Sequence, residues 1–158
     1  MSHGTPIQAQ SLEDTQRLGV QLGELLKAGD VIGLVGPLGV GKTAFVGGMA
    51  RGVGVNSEYA VTSPTFVFAH IYPGKLPLYH IDLYRVEKEK ELEGLGLDEM
   101  IGGDGVAVIE WFDRFDRIWS GDRVEIEMAF GSSGRRQVEI RPFGTRGREI
   151  VSRWGSVS

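Results

Sequence analysis

The chain has 158 residues, of which 41% are hydrophobic and 24% charged, values typical of one globular domain with a buried core. It contains no cysteine, which excludes disulfides, thiolate metal sites and a cysteine nucleophile. The net charge of −4 gives no overall attraction to nucleic acid. No apolar run approaches the roughly 20 residues that cross a bilayer, and no basic-then-apolar signal opens the chain, so we expect a cytoplasmic protein.

The first part of the chain predicts a mobile segment followed by a helix. Residues 1–10 show no periodicity, and Ser11 then begins a capping-box-like sequence with Asp14 three residues later. The helix is expected to end near Ala28, because Gly29 is a typical C-terminal residue. Its apolar residues fall on one face, which predicts packing against a sheet: Leu18, Leu22, Leu25 and Leu26.

The next segment contains a phosphate-binding sequence. Residues 36–43 read GPLGVGKT and fit the pattern G-x-x-x-x-G-K-[ST]. The apolar run 31–35 predicts a buried strand before it, and residues 44 onward predict a helix after it. In this context the pattern indicates a nucleotide phosphate site rather than a glycine-rich turn.

Each part of this loop has a physical role in phosphate binding. Its glycines let backbone N–H groups converge on phosphate oxygens, and the following helix adds its positive N-terminal end. Lys42 places a cation on the β- and γ-phosphates, and the Thr43 hydroxyl is placed to ligate Mg²⁺. We expect the nucleotide to contact the residues of this loop: Gly36, Leu38, Gly39, Val40, Gly41, Lys42, Thr43 and Ala44.

A proline-containing linker and a β-hairpin follow the predicted helix. Within the linker, residues 58–64, Pro64 stiffens the backbone and presents Thr65 from a defined turn. Residues 66–72 and 76–84 then predict two antiparallel strands around a Pro-Gly-Lys turn.

The C-terminal half predicts a broken helix, a buried strand and a second hairpin. Segment 86–101 is helical in character but interrupted by glycines, and the apolar run 106–109 predicts a buried parallel strand. Residues 123–130 and 137–141 alternate between apolar and polar side chains, which predicts antiparallel strands. The tail 143–158 has too little apolar pattern to predict an element.

Two carboxylates stand where predicted strands end. Phosphoryl transfer needs a second acidic contact for Mg²⁺ and a group that orients the attacking atom, and Glu110 fits best, followed by Asp82. Ligands of open α/β sheets gather at the carboxyl ends of strands, so both are expected near the phosphates. Thr65 is either a further metal-associated hydroxyl or a turn cap. We interpret His80 as a satisfied, partly buried histidine. Trp111 is either part of a nucleotide or partner surface or a core residue, and we favour the core.

Four segments, in this order and spacing, resemble the TsaE family: GPLGVGKT at 36–43, SPTF at 63–66, HIDLYR at 80–85 and EW at 110–111. TsaE proteins are small bacterial P-loop ATPases of the tRNA threonylcarbamoyladenosine pathway. The resemblance covers roughly residues 10–130. It implies an α/β P-loop NTPase fold, with helices flanking a mixed sheet that includes the antiparallel hairpins. It also implies ATP hydrolysis that depends on the partners TsaB and TsaD, in modifying the adenosine beside the tRNA anticodon.

The resemblance also implies roles for single residues. Lys42 and Thr43 match the family's phosphate and Mg²⁺ residues, and Glu110 matches its second metal-associated carboxylate. Asp82 and Thr65 match a functionally required aspartate and a switch-like threonine. The implied cofactors are therefore ATP and Mg²⁺.

Some positions match the family less well. Ser11 lies where the family's N-terminal segment approaches the base, and Pro37 replaces the acidic residue usual after the first glycine. The arginine-rich segment 135–153 has no family motif, which leaves its contacts with tRNA or partners open. Residues 11–142 are expected to form the P-loop NTPase domain, followed by the tail 143–158.

Three other function classes share parts of this pattern. A guanine-nucleotide switch is excluded, because the only asparagine, Asn56, is followed by Ser57 and cannot begin an N-K-x-D motif. A small-molecule kinase needs an acceptor pocket and an arginine-bearing lid, for which the arginines of 135–153 remain available. A non-hydrolysing module that uses ATP only to fix a partner surface also remains open.

Overall fold

The computed structural model describes residues 6–64, 67–114 and 119–157. They form one sheet whose strands are β1 (Ile7–Ala9), β2 (Val31–Val35), β3 (Ala69–Tyr72), β4 (Leu78–Asp82), β5 (Val106–Glu110), β6 (Arg123–Phe130) and β7 (Arg136–Phe143). The helices are α1 (Leu12–Leu25), α2 (Lys42–Gly52), α3 (Leu97–Met100) and α4 (Gly144–Val157). Short 3-10 helices lie at Glu89–Gly94, Phe112–Arg114 and Ser132–Gly134.

The sheet is mixed, with the strand order β1-β7-β6-β2-β5-β4-β3. Strands β6, β2, β5 and β4 are parallel to one another, whereas β3, β7 and β1 run antiparallel to their neighbours. Central strands β2 and β5 are almost entirely buried, as expected of apolar strands covered on both faces. The predicted α/β fold, the buried parallel strand and both antiparallel hairpins are confirmed.

The sheet register brings the predicted site residues to one edge. Glu110, the last residue of β5, pairs with Leu34 of β2 on one side and with Asp82 of β4 on the other. The chain leaves β2 at Val35 and enters the glycine-rich loop at this same edge. Parallel strands thus place the loop and both carboxylates together, in the usual ligand-binding position of an open α/β sheet.

Helices α1 and α2 are so close that their backbones touch. A Cβ atom added to Gly48 would lie 2.1 Å from the Gln16 carbonyl oxygen, and one on Gly19 would lie 2.3 Å from that of Phe45. A Cβ on Gly47 would meet no heavy atom within 4 Å. Close packing therefore explains Gly48, whereas Gly47 only lowers the helix propensity.

The two ends of the chain are more ordered than the sequence predicts. Segment 1–10 is predicted to be mobile, but Ile7–Ala9 form β1, which pairs with β7. The tail 143–158 has no predicted element, but Gly144–Val157 form α4. Both elements depend on partners distant in sequence, which local patterns do not reveal.

Two contacts fix α4 to the body of the protein. Arg146 donates hydrogen bonds from Nε and Nη2 to the carboxylate of Asp30, at 2.9 and 2.7 Å. Trp154 is buried, with its ring centroid 6.3 Å from that of Phe45 in α2. The C-terminal helix is therefore part of the hydrophobic core.

Two helical segments are shorter than predicted. Helix α1 ends at Leu25 rather than near Ala28, and segment 86–101 is reduced to the 3-10 helix Glu89–Gly94 and the single-turn helix α3. Glycines within this segment account for the interruption. No helix among the described residues has the length and apolar character needed to cross a membrane.

Candidate functional site: the glycine-rich loop and the strand-end carboxylates

The loop between β2 and α2 has the backbone that its glycines predict. Gly39 and Gly41 have positive φ angles, +78° and +115°, which side chains disfavour. At Gly36 the restriction is space, because a Cβ there would lie 2.7 Å from the Met128 carbonyl oxygen. Helix α2 begins at Lys42 without a side-chain cap, so its first N–H groups are available to an anion.

Lys42 is buried, and its ammonium group contacts a carbonyl oxygen and an aromatic ring. Its Nζ donates a hydrogen bond to the Gly36 carbonyl oxygen at 2.5 Å and lies 4.3 Å from the centroid of the Trp111 ring. Glu110 Oε1 is 4.0 Å away. Burial lowers the pKa of Lys42, and the nearby Glu110 and Asp82 carboxylates counter that shift in part.

Glu110 is held by a histidine from the neighbouring strand. His80 Nε2 lies 2.5 Å from Glu110 Oε2, and both side chains are almost completely buried. His80 Nδ1 has no hydrogen-bond partner among the described residues. Sequence reasoning treated His80 as a satisfied histidine and missed this contact, because it depends on the register of β4 and β5.

Asp82 is oriented by two hydrogen bonds. Its Oδ1 accepts from the backbone N–H of Tyr84 at 2.9 Å, and its Oδ2 accepts from the Ser63 hydroxyl at 3.0 Å. Ser63 belongs to the SPTF segment, so this contact connects the linker with the site. Thr65, the predicted switch-like residue of that segment, lies outside the described residues.

Trp111 lines a cavity at the site and also packs against a buried apolar cluster that includes Ile109 and Phe112, so the core interpretation holds only in part. Its ring is only partly buried and lies between Lys42 and Tyr84, whose ring centroid is 5.1 Å away. The φ angle of Trp111 is +62°, a conformation that is strained for a bulky residue and recurs at functional sites. In the sequence, a place at the site was indicated by its position directly after Glu110, in the EW segment.

A cavity of about 400 Å³ joins these parts. Both carboxylates, Lys42, Trp111 and most of the predicted loop residues line it: Leu38, Gly39, Gly41, Thr43 and Ala44. Gly36 and Val40, the other two predicted loop residues, do not line it. The described residues thus offer this cavity backbone N–H groups, one cation, the hydroxyls of Thr43 and Ser63, and two carboxylates.

The donors suit magnesium with a phosphate ligand. Thr43 supplies a hydroxyl oxygen, while Glu110 and Asp82 supply carboxylate oxygens at the same cavity. Mg²⁺ is usually bound through one or two protein oxygens, substrate phosphates and water. The residues present therefore fit this ion.

A larger cavity, of about 560 Å³, lies between α1, α2 and the linker. It shares Thr43 and Ala44 with the site but contains neither carboxylate. Arg51 on its wall donates to three backbone carbonyls of the segment that follows α2, those of Val55, Asn56 and Tyr59. Both carboxylates and Lys42 thus lie at the smaller cavity and not at this one.

Ser11 has a defined structural role at the start of α1. Its hydroxyl accepts from Asp14 N at 3.2 Å, and the Asp14 carboxylate accepts from Gln10 N at 2.9 Å. Ser11 therefore caps the helix as predicted, whereas the return bond from the Asp14 carboxylate goes to Gln10 and not to Ser11, so the capping box is incomplete. Contact between Ser11 and a nucleotide base stays a prediction.

Comparison with known proteins identifies relatives along most of the chain. The family model described as "Threonylcarbamoyl adenosine biosynthesis protein TsaE" matches residues 9–138. Relatives named "tRNA threonylcarbamoyladenosine biosynthesis protein TsaE" occur in Treponema pallidum and Bacillus subtilis. The first is 39% identical over 84% of this chain and 96% of that protein. The second is 38% identical over 85% of this chain and 83% of that protein.

A solved structure is similar over nearly the whole chain. The crystal structure of Bacillus subtilis YdiB superposes with a TM-score of 0.82 at 29% identity, covering 99% of this chain and 97% of that one. Fold, motifs and relatives therefore agree, and the chain belongs to the TsaE family of tRNA threonylcarbamoyladenosine biosynthesis proteins.

Proposed function

We propose that this chain is the Mg²⁺-dependent component that binds and hydrolyses ATP in tRNA threonylcarbamoyladenosine biosynthesis, acting in the cytoplasm with TsaB and TsaD. The observation that carries the proposal is the meeting of Lys42, Asp82 and Glu110 with the glycine-rich loop at one cavity. A phosphate cradle alone binds a nucleotide, whereas hydrolysis also needs carboxylates beside the γ-phosphate.

Phosphate binding requires Lys42 to exchange partners. Its Nζ now contacts the Gly36 carbonyl and the Trp111 ring, and we propose that the β- and γ-phosphates replace these contacts. Because Lys42 is buried and its pKa is lowered, an anion that restores its charge compensation is favoured. Backbone N–H groups of the loop supply the remaining donors.

We assign the carboxylates to the metal and the attacking water. Mg²⁺, when bound, would neutralise developing charge on the phosphate oxygens. Thr43 and Glu110 are the proposed protein ligands, and Asp82 either joins them or orients water. The His80 contact restricts Glu110 to one orientation, and such restriction keeps a reacting group aligned.

The contacts of the arginines and carboxylates bear on the two alternatives, a small-molecule kinase and a non-hydrolysing module. Three of the six arginines of segment 135–153, from which a kinase lid would have to draw, are bonded to other parts of the protein: Arg136 to the Val40 carbonyl, Arg141 to Glu127 and Arg146 to Asp30. A non-hydrolysing module would not require two carboxylates at the phosphate cavity. We therefore favour hydrolysis, governed by partners that respond to the nucleotide state.

Phosphate release from ATP tests the proposal. It should be slow for the chain alone, increase when TsaB and TsaD are added together, and depend on Mg²⁺. Transfer to a small acceptor without phosphate release would support the kinase alternative. ATP-dependent association with TsaB and TsaD, but no phosphate release in any mixture, would support the non-hydrolysing alternative.

A further inference from the structure

Arg136, in the arginine-rich segment that the sequence left without a role, contacts the phosphate-binding loop. Its Nε donates to the Val40 carbonyl oxygen at 2.8 Å, and its Nη1 donates to the Gly134 carbonyl oxygen at the same distance. Its guanidinium carbon lies 4.9 Å from the centroid of the Phe130 ring. Three contacts therefore hold a planar, rigid donor group in one orientation.

The backbone of Arg136 is fixed as well. It stands at the start of β7, where it pairs with Ala9 of β1 and with Phe130 of β6. A residue held between two strands has little freedom to follow a moving loop. The position of Arg136 is therefore fixed by the sheet, and the loop contacts it through the Val40 carbonyl.

The geometry of the peptide between Val40 and Gly41 gives this contact a consequence for phosphate binding. In a planar trans peptide, the carbonyl oxygen of one residue and the N–H of the next point in opposite directions. Arg136 holds the Val40 oxygen on the side of β7. The Gly41 N–H therefore points away from β7, and Gly41 itself lines the cavity. Among the described backbone hydrogen bonds, none uses this N–H.

The glycine at position 41 makes the alternative orientation of this peptide sterically possible. Gly41 has a φ angle of +115° and no side chain to oppose a change of its backbone angles. Rotation by half a turn would present the Val40 oxygen to the cavity and withdraw one N–H donor. An oxygen in that position would repel phosphate, whereas the N–H attracts it.

We propose that Arg136 is a positioning residue that keeps the Gly41 N–H directed at the bound phosphates by holding the Val40 carbonyl. The proposal rests on the nucleotide site described above. It assigns a role to one arginine of segment 135–153 in shaping the cradle, without contact between the arginine and the nucleotide.

Arg136→Met tests this proposal, with Arg135→Met as the matched control. Methionine keeps an apolar stem beside Phe130 but removes the donors, while Arg135 carries the same charge, is exposed, and makes none of these contacts. We expect Arg136→Met to weaken ADP binding about tenfold, because the free energy of a hydrogen bond from a charged donor corresponds to a factor of about ten or more in an equilibrium constant. Arg135→Met should change it by less than about twofold, as typical surface substitutions do.

A second measurement separates this proposal from the proposed function. In the nucleotide-free protein, the amide resonance of Gly41 should shift or broaden in Arg136→Met and stay in place in Arg135→Met. An unchanged Gly41 resonance in Arg136→Met, or equal effects of the two substitutions, would overturn the role of Arg136. Absence of ADP binding by the wild type would overturn the proposed function, while the Gly41 resonance would still decide the role of Arg136.

Arg136→Lys distinguishes positioning from charge, and it also serves if Arg136→Met does not fold. Lysine keeps the charge but cannot reproduce the planar two-point contact with the Val40 and Gly134 carbonyls. We expect weaker ADP binding and a shifted Gly41 resonance, with the temperature of unfolding close to that of the wild type. Wild-type affinity in Arg136→Lys would overturn positioning in favour of a simple charge effect.

Discussion

The adjacent glycines of α2 predict opposite effects of the same substitution. Gly48→Ala would place a methyl group 2.1 Å from the Gln16 carbonyl oxygen and 3.0 Å from the backbone nitrogen of Val20. Both atoms are backbone atoms of α1, so no side chain can move aside. Gly47→Ala places the same methyl group where no heavy atom lies within 4 Å.

The difference between the two variants isolates the packing cost. Each substitution gains about 1 kcal/mol of helix propensity, so Gly47→Ala should stabilise the protein by about that amount. Gly48→Ala must in addition push α1 and α2 apart. Overpacking of a filled core costs roughly 1–3 kcal/mol, and a backbone contact this short favours the upper end, about 3 kcal/mol.

Thermal unfolding of both variants measures this difference. One kcal/mol corresponds to about 2–4 °C for a protein of this size, so Gly47→Ala should unfold about 2–4 °C above the wild type. Gly48→Ala should unfold about 6–12 °C below Gly47→Ala. If both variants were equally stable, the close approach of α1 and α2 would be wrong.

The remaining predictions concern the site. Thr43→Ala should raise the Mg²⁺ concentration needed for nucleotide hydrolysis, because it removes a metal ligand but no charge; a Mg²⁺ titration identical to that of the wild type would contradict this role. Glu110→Gln and Asp82→Asn should lower kcat more than they weaken nucleotide binding, since these groups act mainly in the transition state; normal hydrolysis by Glu110→Gln in the presence of TsaB and TsaD would refute the assignment. Burial lowers the pKa of Lys42 in the folded state. Between that pKa and the ordinary lysine value, the unfolded chain therefore binds more protons than the folded protein. The contribution of Lys42 to the free energy of unfolding increases with pH over that range. The free energy of unfolding of the wild type, relative to Lys42→Met, should therefore rise with pH, and a pH-independent difference would exclude the buried charge.

Local patterns predicted the elements that position the site. The pattern G-x-x-x-x-G-K-[ST], the apolar runs of β2 and β5, and the alternation in β6 and β7 each lie within one short segment. Glu110 and Asp82 could be located because the carboxyl ends of parallel strands meet at one edge of a sheet. Predicting the positions of Glu110 and Asp82 required only the expectation that their strands are parallel.

The parts that sequence reasoning missed depend on contacts between distant segments. Strand β1 exists because β7, about 130 residues later, offers an edge, and the contact of His80 with Glu110 requires the register of two strands. The sequence does not distinguish Gly48 from Gly47, because the difference is the proximity of α1 to Gly48. Arg136 carries no motif, and its hydrogen bond to the Val40 carbonyl depends on β7 lying next to the loop.

Calorimetric titration with ADP and with a non-hydrolysable ATP analogue, each with Mg²⁺, tests most directly that the nucleotide binds at the glycine-rich loop. The comparison is between the wild type, Lys42→Ala and Lys90→Ala, where Lys90 is an exposed lysine that serves as a control for the lost charge. For each nucleotide, we expect Lys90→Ala to bind with the affinity of the wild type. Folded Lys42→Ala should bind each nucleotide at least tenfold more weakly, because a charged donor to the phosphates is lost. Binding by Lys42→Ala with the affinity of the wild type would contradict the assignment of the site.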